Sequence, residues 1–151
     1  LNARFIFHGL KPPAPYKVVD TKTEAKKYLR LPSNSLDDIC DYFGIGRKQE
    51  HEGFPLWKKC MAGDPKAWRR MLKYNRHDVV LTEKLYFLLL PWMSTHPHVT
   101  VDKGGMTCPK CGSDKIQARG FSINRTMKYR RFQCQSCGGW GKLQKNIIVS
   151  I

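Results

Sequence analysis

The chain has 151 residues, of which 41% are hydrophobic, enough for one ordinary core or for a modest core and a small metal-stapled module. Its 27 Lys and Arg against 12 Asp and Glu give a formal charge of +15, which attracts polyanions and makes nucleic acid the default partner. The longest apolar run, Leu85 to Trp92, is broken at Pro91 and falls short of the ~20 residues of a membrane span, and no leader-like segment opens the chain. A soluble, cytoplasmic protein with no membrane partner is expected, so its six cysteines read as metal ligands and free thiols.

The chain opens on Leu1-Asn2-Ala3-Arg4-Phe5-Ile6-Phe7, with helical spacing under way and no initiator Met, which predicts the end of a helix to about His8 and missing upstream sequence. Gly9 stands where a cap belongs, and Lys11-Pro12-Pro13-Ala14-Pro15 forbids helix before a short predicted strand at Tyr16 to Val19. Thr21-Lys22-Thr23-Glu24 has the form of a capping box opening a helix through Tyr28 and Leu29, and Asp20 before it reads as a structural cap. Ser35 through Asp38 repeats the device for a helix over Leu36 to Phe43, with Leu36, Ile39, Cys40 and Phe43 on one stripe.

Arg47 to Gly53 is polar and predicts a surface loop, after which Phe54, Leu56, Trp57 and Met61 suggest a short helix closed by Gly63. Asp64-Pro65 caps and starts the longest helix, whose apolar contacts are expected from Trp68, Met71, Leu72, Val79, Leu81, Leu85 and Leu88 or Leu89. The stretch from Met93 to Gly105 loses periodicity, which predicts domains at 1–93 and 106–151 joined by a linker at 94–105. In the second domain Ile116 to Ser122 and Met127 to Cys134 read as strands around a turn at 123–126, with another strand expected within Lys142 to Ile151.

Cys108-Pro109-Lys110-Cys111-Gly112 and Cys134-Gln135-Ser136-Cys137-Gly138 are two knuckles of the kind that supply four thiolates to one structural zinc ion, leaving no open position for a catalytic water. Two disulfides or a redox pair are the competing readings of the same cysteines. Cys40 and Cys60 have no partner at ligand spacing and read as buried thiols. From Lys103 onward ten Lys and Arg face Asp114 alone, and Phe121, Tyr129, Phe132 and Trp140 are interleaved with them. That composition suits phosphate contact with base stacking, with Arg119, Phe121, Arg125, Lys128, Tyr129, Arg130 and Arg131 as candidate contacts, although each ring could equally fill the small module's core. The pattern resembles zinc ribbons of transposases and nucleic-acid-processing proteins.

Lys73-Tyr74-Asn75-Arg76-His77-Asp78-Val79-Val80 places Tyr74 and Asp78 four residues apart on one helix face, a spacing that ordinary hydrogen bonding also explains. Together with Pro12 to Thr21, Asn34-Ser35-Leu36 and Phe54 to Asp64, the run resembles phage and bacterial 3′–5′ exonucleases of the ribonuclease H-like DEDDy group from Leu1 to about Trp92. The resemblance implies an α/β domain, mostly helical in the residues present here, followed by a small β zinc ribbon. It implies that Asp78 binds a catalytic Mg²⁺ or Mn²⁺, that Tyr74 orients the attacking water in two-metal phosphodiester cleavage, and that the substrate is DNA in preference to RNA. The group's first two acidic motifs are absent. Glu24, Asp37, Asp38 and Asp41 sit at helix starts and do not replace them, so this chain alone is expected to be inactive unless upstream sequence or a separate chain supplies the rest. The alternative is a non-catalytic nucleic-acid-binding or assembly protein on an exonuclease-like scaffold.

Overall fold

The computed structural model describes residues 2–100 and 106–143. Five helices come first, α1 (Asn2–Phe7), α2 (Thr21–Tyr28), α3 (Leu36–Tyr42), α4 (Phe54–Met61) and α5 (Pro65–Leu89), and a three-stranded antiparallel sheet follows, β1 (Ile116–Ile123), β2 (Lys128–Cys134) and β3 (Trp140–Lys142), in the order β1-β2-β3.

The helix starts are set by side-chain caps. Asp64 accepts from the Lys66 amide at 2.8 Å ahead of Pro65, and Ser35 accepts from the Asp38 amide at 3.1 Å. The cap of α2 is Asp20, which accepts from the amides of Lys22 and Thr23 and from the Thr23 hydroxyl. Thr21 is therefore the first helical residue, and the expected Thr21–Glu24 box does not form because Asp20 caps the helix one residue earlier. The predicted strand at Tyr16 to Val19 does not form: among the described residues the helical part has no strand to pair with it, and a lone strand leaves its backbone groups unmatched.

Helix α5 organises the helical part. Leu81, Leu85 and Leu89 pack with Ala25 of α2 and with Ile39 and Cys40 of α3, while nearer its start Ala67 and Met71 pack with Leu56 and Cys60 of α4. Each fully buried leucine contributes roughly 1.5–3 kcal/mol. Cys40 and Cys60 are free buried thiols. Trp68, Leu72 and Val79, expected in the core, are about half exposed, because α2, α3 and α4 all pack against the other stripe of α5. Phe43 is only partly covered too: it is the C-cap of α3, its amide still bonded to the Ile39 carbonyl, and Gly44 beyond it turns with φ of 64°. Gly46 allows the next segment to approach α5, since a Cβ there would lie 2.8 Å from Leu81 Cδ2 and the backbone φ is 138°.

Residues 94–100, assigned to the linker from composition, are anchored at several points. Tyr28 OH donates to Ser94 Oγ at 2.9 Å, Tyr86 OH meets His96 Nε2 at 2.7 Å, and the Val99 amide donates to the Pro109 carbonyl at 2.9 Å. In the sheet, β1 and β2 pair from Ile116↔Cys134 to Ile123↔Lys128, with an irregularity between Ala118 and Phe121 where Gly120 has φ of 67°. The third strand starts at Trp140, earlier than expected, and a further strand over 144–151 lies outside the described residues.

Candidate metal centre and nucleic-acid interface

Each cysteine knuckle is shaped by its backbone. The Gly112 amide returns to the Cys108 carbonyl at 2.8 Å and the Gly138 amide to the Cys134 carbonyl at 2.9 Å, with both glycines at positive φ, 77° and 75°. Ser113 and Ser136 join the knuckles through a 2.7 Å hydroxyl contact. The four sulfurs converge: Cys108 Sγ lies 3.7 Å from Cys137 Sγ, Cys111 Sγ lies 3.6 Å from Cys134 Sγ, and all four are within 4.8 Å of one another. Zn–S bonds of ~2.3 Å in a tetrahedron place sulfurs about 3.8 Å apart, so the donor set and its spacing fit zinc. The thiol pKa values of the second knuckle's two cysteines are driven apart by their surroundings. Burial pushes Cys137 up to about 12, whereas at Cys134 burial is outweighed by the amides of Cys137 and Ser136, which hold it at about 7.

Lys110, within the first knuckle, is buried, and its ammonium donates to the Pro91 carbonyl at 2.5 Å. Burial draws it below the ordinary lysine range, opposed by the nearby sulfurs of Cys137 and Cys108. It belongs to the attachment of the ribbon and is not a surface charge. The aromatics divide as well: Phe132 is buried over Gly141, where no Cβ would fit, while Phe121 and Trp140 are 44% and 47% exposed and Tyr129 is half-buried.

Strand alternation sorts the candidate contacts into two faces. Lys128 and Arg130 share the side of Phe132 and Cys134, and the Lys128 ammonium lies 4.3 Å from the centre of the Phe121 ring. Tyr129 and Arg131 lie on the opposite side with Trp140 and Lys142: Arg131 stands 5.1 Å from the Trp140 ring and Lys142 stands 5.3 Å from the Tyr129 ring. Arg119 is exposed at the irregularity of β1, and Arg125 is exposed in the hairpin turn.

The second candidate site lies on α5. Tyr74 and Asp78 occupy the packed stripe of the helix, in the gap between the Met71 and Leu81 clusters, and Tyr74 packs against the first of these. The loop after α3 crosses this gap. The Lys48 ammonium donates to Tyr74 OH at 3.2 Å and pairs with Asp78 Oδ2 at 3.1 Å, and its backbone amide donates to Asp37 Oδ1 at 2.6 Å. The loop is held further by His77 Nε2 against the Arg47 carbonyl at 2.7 Å and by His51, whose ring centre lies 4.4 Å from that of Tyr74. The bond to Tyr74 raises the Lys48 pKa, and the bond and charge of Asp78 reinforce it against burial. Asp78 Oδ1 is buried without a hydrogen-bond partner.

A two-metal centre needs several converging carboxylates. Among the described residues the only group of three or more metal-ligating side chains is the cysteine cluster, and Asp78 already holds an ammonium. As they stand, the residues around Tyr74 and Asp78 do not fit a divalent-metal centre. The loop residues Lys48 and His51 carry little sequence signal of this contact because their segment is polar and aperiodic, while His77 faces them from α5 itself. The one available signal was the segment's abundance of charge opposite a helix already carrying Asp78.

No described helix is long and apolar enough to cross a membrane. A family model described as the RNase_H superfamily matches residues 1–90. No curated protein matches, and no solved structure matches.

Proposed function

The chain belongs to the RNase H superfamily, and from that premise we propose that it is the nucleic-acid-binding part of a metal-dependent 3′–5′ exonuclease of the DEDDy kind, held to its substrate by a zinc ribbon. The observation that carries the reading is the four-sulfur cluster anchoring a sheet whose exposed cations, Arg119, Arg125, Arg130, Arg131 and Lys142, are accompanied by no acid between Ile116 and Leu143. Zinc supplies the crosslink that fixes such a small sheet, and the sheet carries the charges to the phosphates.

Hydrolysis is not available to these residues by themselves. Asp78 is one carboxylate where several are needed, and Lys48 neutralises it. In the nuclease reading, further carboxylates must reach the Tyr74–Asp78 gap from elsewhere in the complete protein or from a second chain, and Lys48 must yield Asp78 to them. The Lys48 contact also favours a second reading, in which the helical part is a scaffold and the protein binds nucleic acid without cutting it.

A digestion assay on 3′-labelled single-stranded and duplex DNA with Mg²⁺, run on this chain and on the gene's complete reading frame, separates the two. Nucleotide release by the complete product alone supports the nuclease, and release by neither supports the scaffold. Binding by either should weaken steeply with salt: five phosphate contacts give a log–log slope of roughly −3.5 on a single strand. A flat titration would remove the ribbon's assigned role.

A further inference from the structure

On a three-stranded sheet backed by a metal cluster, one face is spent on the core. Here that face carries Phe132, Gly141 and Cys134, and the opposite face carries Tyr129, Arg131, Gln133, Trp140 and Lys142, with Met127 beside it accepting from Tyr129 OH at 2.8 Å. Two aromatic rings stand on this opposite face, Trp140 about half exposed, and each is accompanied by an exposed cation.

We propose that this face is a stacking platform for unpaired bases, so that the ribbon selects single-stranded over double-stranded nucleic acid. The inference rests on the reading of the ribbon as a nucleic-acid binder and names the form of its ligand. A ring with a cation 5.1–5.3 Å from its centre is oriented by cation–π attraction, and its face is covered by an exposed side chain that can move aside. An arriving base takes the cation's position over the ring, and the displaced Arg131 or Lys142 turns to the adjoining phosphate. Tyr129 lies four residues along β2 from Gln133, the partner of Trp140, which separates the rings by ~13 Å, so each takes its own base. In a duplex the bases are stacked on one another, and a flat sheet cannot reach their faces without unpairing them. Such a strand would then see this face as charge alone.

The test uses the zinc-loaded full chain and fluorescence anisotropy with three labelled ligands: oligo-dT, a strand of equal length built from abasic residues, and a duplex. Oligo-dT should bind at least about tenfold more tightly than the abasic strand, since a stacked base contributes roughly that or more. The double variant Tyr129→Leu/Trp140→Leu, checked for one zinc per chain, should bring the ratio to about twofold or less while leaving affinity for the abasic strand nearly unchanged. Equal binding of oligo-dT and abasic strand by the unmodified chain, or tighter binding of the duplex, overturns the platform and leaves nucleic-acid binding intact. Binding of none of the three at low ionic strength overturns the underlying reading.

Discussion

Replacing Lys48 with Met isolates the interaction in the gap of α5. The substitution removes the ion-pair partner of Asp78 Oδ2, and Oδ1 has no partner already, so a carboxylate in a packed stripe is left uncompensated. The Lys48 and Asp78 side chains are 35% and 22% exposed, which places the pair between exposed ion pairs, contributing about 0–1 kcal/mol, and buried ones, whose half-removal costs about 3–5 kcal/mol. A loss of about 1–2 kcal/mol is expected. Asp78→Leu should cost less, because the lysine stem can carry its ammonium to water and a leucine bridges the Met71 and Leu81 clusters. The double variant should therefore recover most of what Lys48→Met loses. Urea unfolding followed by circular dichroism measures this: with a slope of ~2 kcal/mol/M, Lys48→Met lowers the midpoint by roughly 0.5–1 M. Added Mg²⁺ should not restore it, since one carboxylate makes no tight magnesium site. A coupling energy below about 0.3 kcal/mol in the complete cycle would refute the claim that Lys48 holds Asp78.

Cys134→Ser should reduce zinc from one ion per chain to none and abolish amide protection in the ribbon while sparing the helical part, as metal analysis and hydrogen exchange would show; unchanged stoichiometry contradicts the assignment. Gly46→Ala should destabilise by about 1–3 kcal/mol in the same urea assay, because its Cβ meets Leu81 at a backbone angle that alanine avoids. Acid should loosen the starts of α2 and α3. The Thr23 hydroxyl at Asp20 and the Ser33 and Ser35 hydroxyls at Asp38 hold both carboxyls below the usual aspartate range. Their contribution is thus complete above ~4 and is lost as pH falls through the lower folded values. Helicity followed from pH 5 to 2 should show this, and Asp20→Asn, which caps without titrating, should flatten the part due to α2; an unaltered profile counts against the cap.

Punctuation was legible in the sequence because it is local. Asp64-Pro65 sets the start of α5, Ser35 sets that of α3, and the two knuckles announce their own geometry. What periodicity could not supply is the number of neighbours: it marks Trp68, Leu72 and Val79 as apolar, yet only one stripe of α5 is covered among the described residues. The Tyr16–Val19 run has strand composition but no pairing partner among the described residues, and pairing is not a property of the run itself. Lys48 reaches Tyr74 across 26 residues, a contact no window sees. The ring assignment, in contrast, was within reach. Once Cys134 is a zinc ligand, strand parity puts Phe132 on the metal side and Tyr129 away from it.

The bonds from Ser94 to Tyr28, His96 to Tyr86 and Val99 to Pro109 bear on how binding would be shared between the two parts of the chain. A free tether would let the ribbon sample a volume by random walk, diluting its captured strand relative to the helices. With these residues anchored, that dilution would be largely absent, and the effective concentration of any bound strand near α5 would follow from the fold instead of from tether length. Lengthening the chain at 94–100 should weaken any cooperation between the parts far more than the same insertion in a flexible tether would.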